Sequence, residues 1–295
     1  MDLVMKMDNL PILGETIVTD NFETYPGGKG GNQAVTASKL GGNVQFLGKL
    51  GDDNYSDQLI FELEKQNVDT SKIIRKKNSN AGIAMIRVDK NGDNSISFTP
   101  GANNDLSIAD LKKNEDLFVK SDILLITMEI NNDIVYEAIR IANKYNMYVI
   151  LDPAPAPNAI PNDIPEKVNI ITPNESEAEN ITGINIKTKE NALDSLKILK
   201  EMGFNLPIIT WGKNGIITYL DNSLKIIESL ENIKAIDSTA AGDVFVGALA
   251  AFISKDKPII ESIKLANSAA GLSTTIEGAQ TSIPLLSELE SIMNK

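Results

Sequence analysis

The stretch from Asp122 to Pro153 reads DILLITMEINNDIVYEAIRIANKYNMYVILDP and decides the fold of this chain. An apolar run, DILLITMEI, precedes a helical pattern over Ile134 to Tyr145, and a second apolar run, MYVILDP, follows it. Two buried strands joined by a helix form a βαβ unit, in which the strands lie parallel. The stretch therefore predicts an α/β protein.

The same alternation continues toward the C-terminus through VNIITPN, a helical pattern over Ala192 to Met202, and LPIITWG. This rhythm predicts a Rossmann-like, mostly parallel central sheet flanked by helices. Ligands of such sheets bind beyond the carboxyl ends of the strands. We therefore expect one crevice surrounded by the segments that follow those strands: Glu129, Asp152, TPNESE and TWGKNG.

The first hundred residues predict a second, smaller sheet. The segment GIAMIRVDKNGDNSISFTPG, from Gly82 to Gly101, has an Asn-Gly turn between two strand-forming runs and predicts a hairpin. Together with extended pieces near Val4 and from Ile17 to Phe22, the hairpin predicts a β-sheet lid. We expect a single domain over residues 1–295, with the lid from about 2–26 and 82–100 and the large α/β part from about 27–81 and 101–295.

The composition of the chain argues against several classes of function. The 28 basic and 40 acidic residues give a net charge of −12, which argues against a nucleic-acid surface. No apolar run approaches the ~20 residues of a membrane span and no export signal is present, so we expect a cytoplasmic protein. The sequence has no cysteine and no histidine. Proton transfer would therefore fall to Asp, Glu, Lys or Tyr.

The segment YPGGKGGNQAV, from Tyr25 to Val35, has four glycines around Lys29 and ends in a helical pattern that starts at Asn32. It matches neither the Walker pattern nor the dinucleotide-binding pattern. Its glycines would let backbone approach a polar ligand, and Lys29 and Asn32 would supply donors. A loop whose only task is to cap the helix through Asn32 explains the same residues.

The segment DSTAAGDVFVGALAAF, from Asp237 to Phe252, places small residues in front of an apolar helix. Free N–H groups at such a helix start, together with the helix dipole, predict an anion hole at Ala240 to Gly242. Asp243 would face the same space and accept the proton of a hydroxyl that attacks a phosphoryl group. The alternative is that Asp237, Ser238 or Asp243 merely caps the helix.

Two further segments belong to the same end of the predicted sheet. In TPNESEAENITG, acidic residues in a first helical turn complement the helix dipole, and this explains most of them. Asn174 and Glu177 share one helical face, where they are also placed to hold water around a Mg²⁺ ion bound to phosphates. EGAQTSIP, from Glu277 to Pro284, predicts a tight turn, and the residues alone leave open whether it encloses a monovalent cation with Asp237.

Taken together, these stretches resemble the ribokinase-like family of sugar kinases. The matching motifs are GGKGGNQA, TPNESEAE, ITWGKNG, DSTAAGDVFVGAL and EGAQTSIP, in register from Asp2 to the C-terminus. PGANNDLS and LDPAPA are more similar to members that act on ribose than to fructokinases or adenosine kinases. The resemblance implies transfer of the ATP γ-phosphate to the 5-hydroxyl of ribose with Mg²⁺, activation by K⁺, and a homodimer that pairs the two lid sheets.

Carried over by position, the resemblance makes Asp243 the base and Ala240, Ala241 and Gly242 the anion hole. It implies sugar contacts by Asp2, Gly28, Lys29, Gly30, Gly31, Asn32 and Glu129, with Asp243. It implies a nucleotide site at Asn174, Thr210, Trp211, Gly212, Lys213, Asn214, Gly215 and Asn267, with Gly242 and Asp243. It implies K⁺ positions at Asp237, Thr239, Ser273, Ile276, Gly278 and Ser282, several through backbone carbonyls, and Glu177 near Mg²⁺ through water.

The chain departs from the family pattern at two places. Family members begin earlier, with a strand that ends in Gly-Ser-x-Asn-x-Asp, and Met1-Asp2 falls at its last two positions. Loss of that strand from the large sheet would expose unpaired backbone and apolar surface, so we expect either a longer natural chain or a weakened protein. Asn267 stands where the family often has histidine, and we expect this change to be tolerated.

The residues leave the phosphate acceptor open, because the lid and the residues near Asp2 and Glu129 decide it. Fructose, a deoxyribose and adenosine are alternatives to ribose. A sugar-binding protein with impaired catalysis is the remaining alternative, and only the short start of the chain suggests it.

Overall fold

The computed structural model describes residues 1–19, 22–220, 223–230 and 233–293. The strands within these ranges are β1 (Asp2–Lys6), β2 (Phe22–Tyr25), β3 (Gly48–Leu50), β4 (Ile73–Arg75), β5 (Ile83–Val88), β6 (Asn94–Thr99), β7 (Ile123–Thr127), β8 (Tyr148–Asp152), β9 (Ile170–Ile171), β10 (Leu206–Thr210), β11 (Ile216–Leu220) and β12 (Ser223–Ile227). The α-helices within them are α1 (Lys29–Lys39), α2 (Asn54–Lys65), α3 (Ile108–Lys113), α4 (Glu115–Lys120), α5 (Asn132–Lys144), α6 (Glu175–Thr182), α7 (Lys189–Glu201), α8 (Ala241–Ile253), α9 (Ile259–Ser273) and α10 (Leu286–Met293). None of the described helices is both long and apolar enough to cross a membrane.

The large sheet has the strand order β12-β11-β10-β9-β8-β7. Strands β7 to β10 are parallel, while β11 and β12 join the sheet in antiparallel fashion. Val149, Ile150, Ile170 and Ile171 have no exposed surface, because helices cover both faces of the parallel strands. The predicted α/β fold with a mostly parallel central sheet is therefore confirmed.

Helix α8 lies in the core of the protein. Every residue from Asp243 to Phe252 is buried, including the predicted core face of Phe245, Val246, Leu249 and Phe252. The helix packs against both α1 and α9. A helix that is apolar all round is stable only when it is surrounded in this way, and its first turn is thereby held at the sheet edge.

The small sheet has the order β2-β1-β5-β6, and the predicted hairpin is its β5–β6 pair. One part of the predicted lid is wrong, because Ile17 to Thr19 form no strand and β2 begins only at Phe22. Residues 20 and 21 of that predicted piece lie outside the described residues. Phe22 pairs with Met5 near the end of β1.

Strand β3 of the two-stranded sheet and strand β7 of the large sheet lie beside the same cavity. Within the described residues, β3 pairs only with β4, and β7 pairs only with β8, so each strand keeps one unpaired edge. Both strands line a cavity of about 970 Å³ whose walls include Phe46, Leu47, Leu124 and Ala250. The same cavity continues into the site described next.

Candidate active site

Helix α1 brings the glycine-rich segment into the site. The helix begins at Lys29, so the predicted start at Asn32 is wrong by one turn. Gly28 precedes it at a φ of 88°, a conformation that glycine adopts without strain. The N–H of Lys29 donates to Oε2 of Glu129 at 2.7 Å, so a carboxylate from the end of β7 holds this helix start and Asn32 does not cap it.

Asp243 lies in the first turn of α8 with 4% of its surface exposed. Its Oδ2 accepts a hydrogen bond from Nδ2 of Asn32 at 2.9 Å, and its Oδ1 accepts one from Nε2 of Gln33 at 3.2 Å. Nζ of Lys29 is 3.9 Å from Oδ1. The sequence therefore brings a lysine and two amides from α1 onto one buried carboxylate.

The start of α8 has an unusual backbone. Ala240, the residue before the helix, has φ 60° and ψ 8°, which is left-handed, and no side chain caps the helix. The alternative that Asp237, Ser238 or Asp243 is only a cap is therefore wrong. The N–H of Ala241 bonds to the carbonyl oxygen of Ser238, and no cap side chain accepts a hydrogen bond from the N–H groups of the first turn.

Burial and the neighbouring donors shift the pKa of Asp243 in opposite directions. Burial raises the pKa of Asp243, while Lys29 and the two amides lower it, and burial is the larger effect. Burial lowers the pKa of Lys29, but Asp243, Asp152, Glu177 and Glu129 together outweigh it and leave the pKa raised. Lys29 is therefore the cation that balances a site of carboxylates.

The lid supplies one acid to this site. Asp2, at the start of β1, lies against Gly27, where an ideal Cβ would be only 2.1 Å from Oδ2 of Asp2. Burial raises the pKa of Asp2, and the N-terminal amino group opposes that shift. The structure gathers the sugar positions implied by the family resemblance around one cavity, which is lined by Asp2, Gly28, Lys29, Gly30, Gly31, Asn32, Glu129 and Asp243.

Asn174 and Glu177 form a capping box at the start of α6. Oδ1 of Asn174 accepts from the N–H of Glu177 at 2.9 Å, and Oε2 of Glu177 accepts from the N–H of Asn174 at 2.9 Å. These two residues therefore cap the start of α6, which is the structural explanation that the sequence also allowed. Burial nevertheless raises the pKa of Glu177, and its electrostatic neighbours include Lys29 and Asp243.

The positions assigned to a nucleotide form a connected surface. In the turn after β10, the N–H of Trp211 bonds to the carbonyl of Gly215 at 2.7 Å. Gly215 has a φ of 84°, and an ideal Cβ there would lie 2.0 Å from the carbonyl oxygen of Ile227. Nδ2 of Asn267 donates to the carbonyl of Glu228 at 2.7 Å. The end of β12 therefore joins Asn267 to the turn formed by Thr210, Trp211, Gly212, Lys213, Asn214 and Gly215.

Asp237 ties together the positions assigned to a monovalent cation. Its Oδ1 accepts from both N and Oγ1 of Thr239, and its Oδ2 accepts from the N–H of Gly278 at 2.9 Å. Burial would raise the pKa of Asp237, but these hydrogen bonds outweigh it and leave the pKa lowered. Ser273 and Ser282, which flank Gly278 in the sequence, are both buried. Ile276 is 52% exposed. In the described part of the chain, no group of three or more Asp, Glu, His or Cys residues forms a metal cluster.

Sequence reasoning missed two polar residues of the site, Gln33 and Gln280. Gln33 donates to Asp152 and Asp243, and Nε2 of Gln280 donates to Oδ1 of Asn32 at 3.3 Å. Asp152 was placed at the crevice by its position after a strand, but without a role. Gln33 follows Asn32 directly in α1. The direction of its side chain depends on where the helix begins, and the sequence pattern did not place that start at Lys29.

A buried carboxylate beside a lysine, in a cavity lined by both the large sheet and the small sheet, offers a site for a small polar substrate. The class follows from comparison with known families: the pfkB family carbohydrate kinase description matches residues 1–286. The chain therefore belongs to the pfkB family of carbohydrate kinases.

Individual relatives narrow the comparison. The chain is 34% identical over 275 residues to a ribokinase of Haemophilus influenzae, covering 93% of this chain and 89% of that protein. It is 30% identical to a deoxyribokinase of Salmonella typhi, covering 100% of this chain and 96% of that protein. A crystal structure of ribokinase from Thermotoga maritima matches with a TM-score of 0.89 at 35% identity, covering 100% and 96% of the two chains. Arabidopsis thaliana ribokinase, solved in complex with ribose and ATP, matches with a TM-score of 0.91 at 26% identity, covering 100% and 96%.

Proposed function

We propose that this enzyme transfers the γ-phosphoryl group of ATP to the 5-hydroxyl of D-ribose, giving D-ribose 5-phosphate and ADP. The observation that carries the proposal is that Asp243, Lys29 and Asp2 line one cavity at the edge of the sheet. The ribokinase of Haemophilus influenzae and the Arabidopsis complex with ribose and ATP support the choice of acceptor and donor.

Asp243 acts as the general base in this proposal. Its carboxylate accepts the proton of the sugar hydroxyl, the hydroxyl oxygen bonds to the γ-phosphorus, and the bond from that phosphorus to the ADP oxygen breaks. A carboxylate is a weak base for an alcohol, but a loose transition state lets the proton move late. The backbone N–H groups of the assigned anion hole, Ala240 to Gly242, and the Lys29 ammonium stabilise the charge that spreads over the phosphoryl oxygens.

The nucleotide lies along the carboxyl ends of β10 and β12. We assign its contacts to Asn174, the turn from Thr210 to Gly215, and Asn267. The tight turn supports this assignment, because Gly215 packs against the Ile227 carbonyl with no room for a side chain, while Gly212, Lys213 and Asn214 of the same turn are exposed. The isolated bridge between Asn174 and Thr210 joins the α6 start to the same surface.

The donor groups fit Mg²⁺ that arrives with the nucleotide. Mg²⁺ is usually held by one or two carboxylates, several waters and substrate phosphates, and not by a cage of protein ligands. Glu177 offers one such carboxylate, of which Oε2 is already engaged in the capping box. When bound, the ion would neutralise phosphate charge, and Glu177 would orient its water shell.

A monovalent cation fits beside Asp237. The carboxylate, the Thr239 and Gly278 backbone that it holds, and the carbonyl groups near Ser273, Ile276 and Ser282 are the hard oxygen donors that K⁺ takes. Asp237 keeps a lowered pKa and therefore stays charged at neutral pH. A bound K⁺ would hold the 273–282 segment next to the start of α8.

Two lid sheets pair in a homodimer in our proposal. Ile96 and Phe98 of β6 lie on one face of the small sheet, beside the cavity, and are 56% and 57% exposed. Met85 of β5 pairs with Ser97, so it lies on the opposite face, where it is 50% exposed. Large apolar side chains on a sheet surface favour a protein contact. Sedimentation of the protein and of Ile96→Lys tests this: a dimer that the substitution converts to monomer supports the pairing, and a monomeric wild type contradicts it.

A deoxyribose is the second candidate acceptor. The deoxyribokinase of Salmonella typhi covers the whole chain at 30% identity, which is close to the identity with ribokinases. Ribose and 2-deoxyribose differ by one hydroxyl, and a site built to bind that hydroxyl rejects the analogue strongly. The two candidates therefore separate in one competition assay.

The purified protein with Mg²⁺, K⁺ and ATP tests the proposal directly. ADP release is measured with ribose, 2-deoxyribose, fructose and adenosine, and without an acceptor, and phosphorus NMR locates the ester in the product. We expect the highest kcat/KM with ribose and an ester on the 5-oxygen. Absence of preference for ribose contradicts the substrate assignment, and ribose binding without ADP release identifies a catalytically impaired binding protein.

A further inference from the structure

A buried glutamine connects the carboxylate of Asp243 to a second acid. Gln33 is 2% exposed, and its Nε2 lies 2.6 Å from Oδ2 of Asp152 and 3.2 Å from Oδ1 of Asp243. A side-chain amide nitrogen carries two hydrogens, so both hydrogen bonds form at the same time. The amide is thereby fixed between two carboxyl groups.

The two amides of α1 hold different oxygens of Asp243. Asn32 donates to Oδ2 and Gln33 donates to Oδ1, so the carboxyl plane has a donor at each end. The last torsion of an aspartate is broad and does not settle in one staggered well by itself. Loss of either donor leaves the carboxylate free to turn about the remaining hydrogen bond.

Asp152 is the fixed end of this arrangement. It ends β8 and is 5% exposed, and among the described residues no lysine or arginine forms an ion pair with it. Burial raises its pKa well above the ordinary value, Asp243 and Glu177 add to the shift, and Lys29 opposes it. A carboxyl group accepts a hydrogen bond from Gln33 whether it is ionised or protonated. Asp152 therefore serves Gln33 as a hydrogen-bond acceptor in either protonation state.

We propose that Gln33 is a positioning residue that fixes the carboxylate of Asp243 toward the sugar hydroxyl, and that Asp152 anchors Gln33. The inference rests on the proposed function, in which Asp243 removes the hydroxyl proton. General-base catalysis depends on this orientation, because a misplacement of about 1 Å costs on the order of 100-fold in rate. Binding of the sugar needs Gln33 much less, since the amide is turned away toward Asp152.

Four variants test the inference. Gln33→Met keeps the length of the side chain without the donors, Asp152→Ala removes the anchor, and Asp152→Asn retains an acceptor. Gln45→Met is the matched control, because Gln45 donates its amide to Oδ2 of Asp69 at 2.8 Å on the exposed surface.

We expect Gln33→Met to lower kcat about 10- to 100-fold with the KM for the sugar changed less than about threefold. The acid limb of its pH profile should move to higher pH, because Asp243 loses a donor to its ionised form. Asp152→Ala should resemble Gln33→Met, Asp152→Asn should recover most of the lost turnover, and Gln45→Met should equal the wild type.

Three results would overturn the inference. One is an unchanged kcat and pH profile in Gln33→Met, and another is a loss confined to KM or to the melting temperature. The third is an Asp152→Asn turnover as low as that of Asp152→Ala. If Gln33→Met does not fold, Gln33→Glu keeps the shape and replaces the two-hydrogen donor, and the same criteria apply to it.

A failure of the proposed function is recognised separately. If the wild type phosphorylates no sugar, the pKa of Asp243 is measured by carbon NMR of labelled aspartate carboxyls, with the Asp243 signal identified by its absence in Asp243→Asn. A higher pKa in Gln33→Met than in the wild type supports the hydrogen-bond role. An unchanged pKa overturns it.

Discussion

Gly247 of α8 touches the backbone of α1 at Gln33: an ideal Cβ on Gly247 would lie 2.5 Å from the Gln33 carbonyl oxygen. The contact is about one helical turn beyond Asp243, since a turn takes about 3.6 residues. The distance between the two helices at Gly247 therefore sets how closely α1 brings its amides to the carboxylate. A methyl group at this position has no space unless the helices separate.

Gly247→Ala should accordingly weaken both the fold and the site. We expect the free energy of unfolding to fall by about 1–3 kcal/mol, which is typical of overpacking, and kcat to fall with it. Urea unfolding and steady-state turnover measure the two effects. Gly242→Ala is the stability control, because no atom lies within 4 Å of its ideal Cβ. Equal stability of Gly247→Ala and the wild type would contradict the close contact.

Gly27→Ala should act on the sugar site through Asp2. The new Cβ would occupy the place of the Asp2 carboxylate, which must then turn away. If Asp2 binds the sugar, the KM for the sugar should rise about tenfold or more while kcat changes less. A double-mutant cycle with Asp2→Ala provides the check, since the two effects should not add. Additive effects would show that Gly27 acts independently of Asp2.

Ala240→Gly should stabilise the protein. Ala240 has a left-handed backbone with φ 60°, which costs a residue with a Cβ roughly 1–2 kcal/mol that glycine avoids. We expect the free energy of unfolding to rise by about 1 kcal/mol. Ala241→Gly lies in the right-handed helix and should lower it by roughly 0.5–1 kcal/mol. The prediction fails if both substitutions destabilise the protein equally.

The raised pKa of Asp243 also predicts a pH dependence of stability. The native protein holds this proton at a higher pH than the unfolded chain does, so folding takes up a proton as the pH rises above the ordinary value of 3.8. The group therefore destabilises the fold increasingly through that range and remains destabilising at neutral pH. Asp243→Asn should be more stable than the wild type at pH 7, and the difference should vanish in acid.

Asp163→Asn provides a control of opposite sign for that measurement. The hydrogen bond and charge of Arg140 lower the pKa of Asp163 to about 2. Its ionised form favours the native state, and this contribution is lost as the pH falls from the ordinary value of 3.8 toward 2. Asp163→Asn should thus be slightly less stable than the wild type at neutral pH. The same sign of effect in both variants would contradict the assigned shifts.

Apolar periodicity predicted the sheet and most helices well, but not the helix ends. Helix α5 was predicted from Ile134 and begins at Asn132, and α7 was predicted from Ala192 and begins at Lys189. Polar first turns carry no apolar signal. Their starts are held instead by side-chain caps, such as the Thr188 oxygen that accepts from the N–H of Asn191.

Contacts between distant residues account for what the sequence could not show. The start of α1 depends on a hydrogen bond from Lys29 to Glu129, which is 100 positions away, and its glycines by themselves disfavour a helix. The Gln33–Asp152 hydrogen bond spans 119 positions. Motif similarity indicated Asp243 and its neighbours along the chain, whereas the side chains that orient it come from the folded structure.

The most direct test of the account is the turnover of Asp243→Asn, measured with ribose and ATP beside calorimetric binding of ribose. If Asp243 is the base, kcat should fall by about 1,000-fold or more while the Kd for ribose changes less than about threefold. An Asp243→Asn protein that keeps its turnover would contradict the assignment of Asp243 and the reaction geometry built on it.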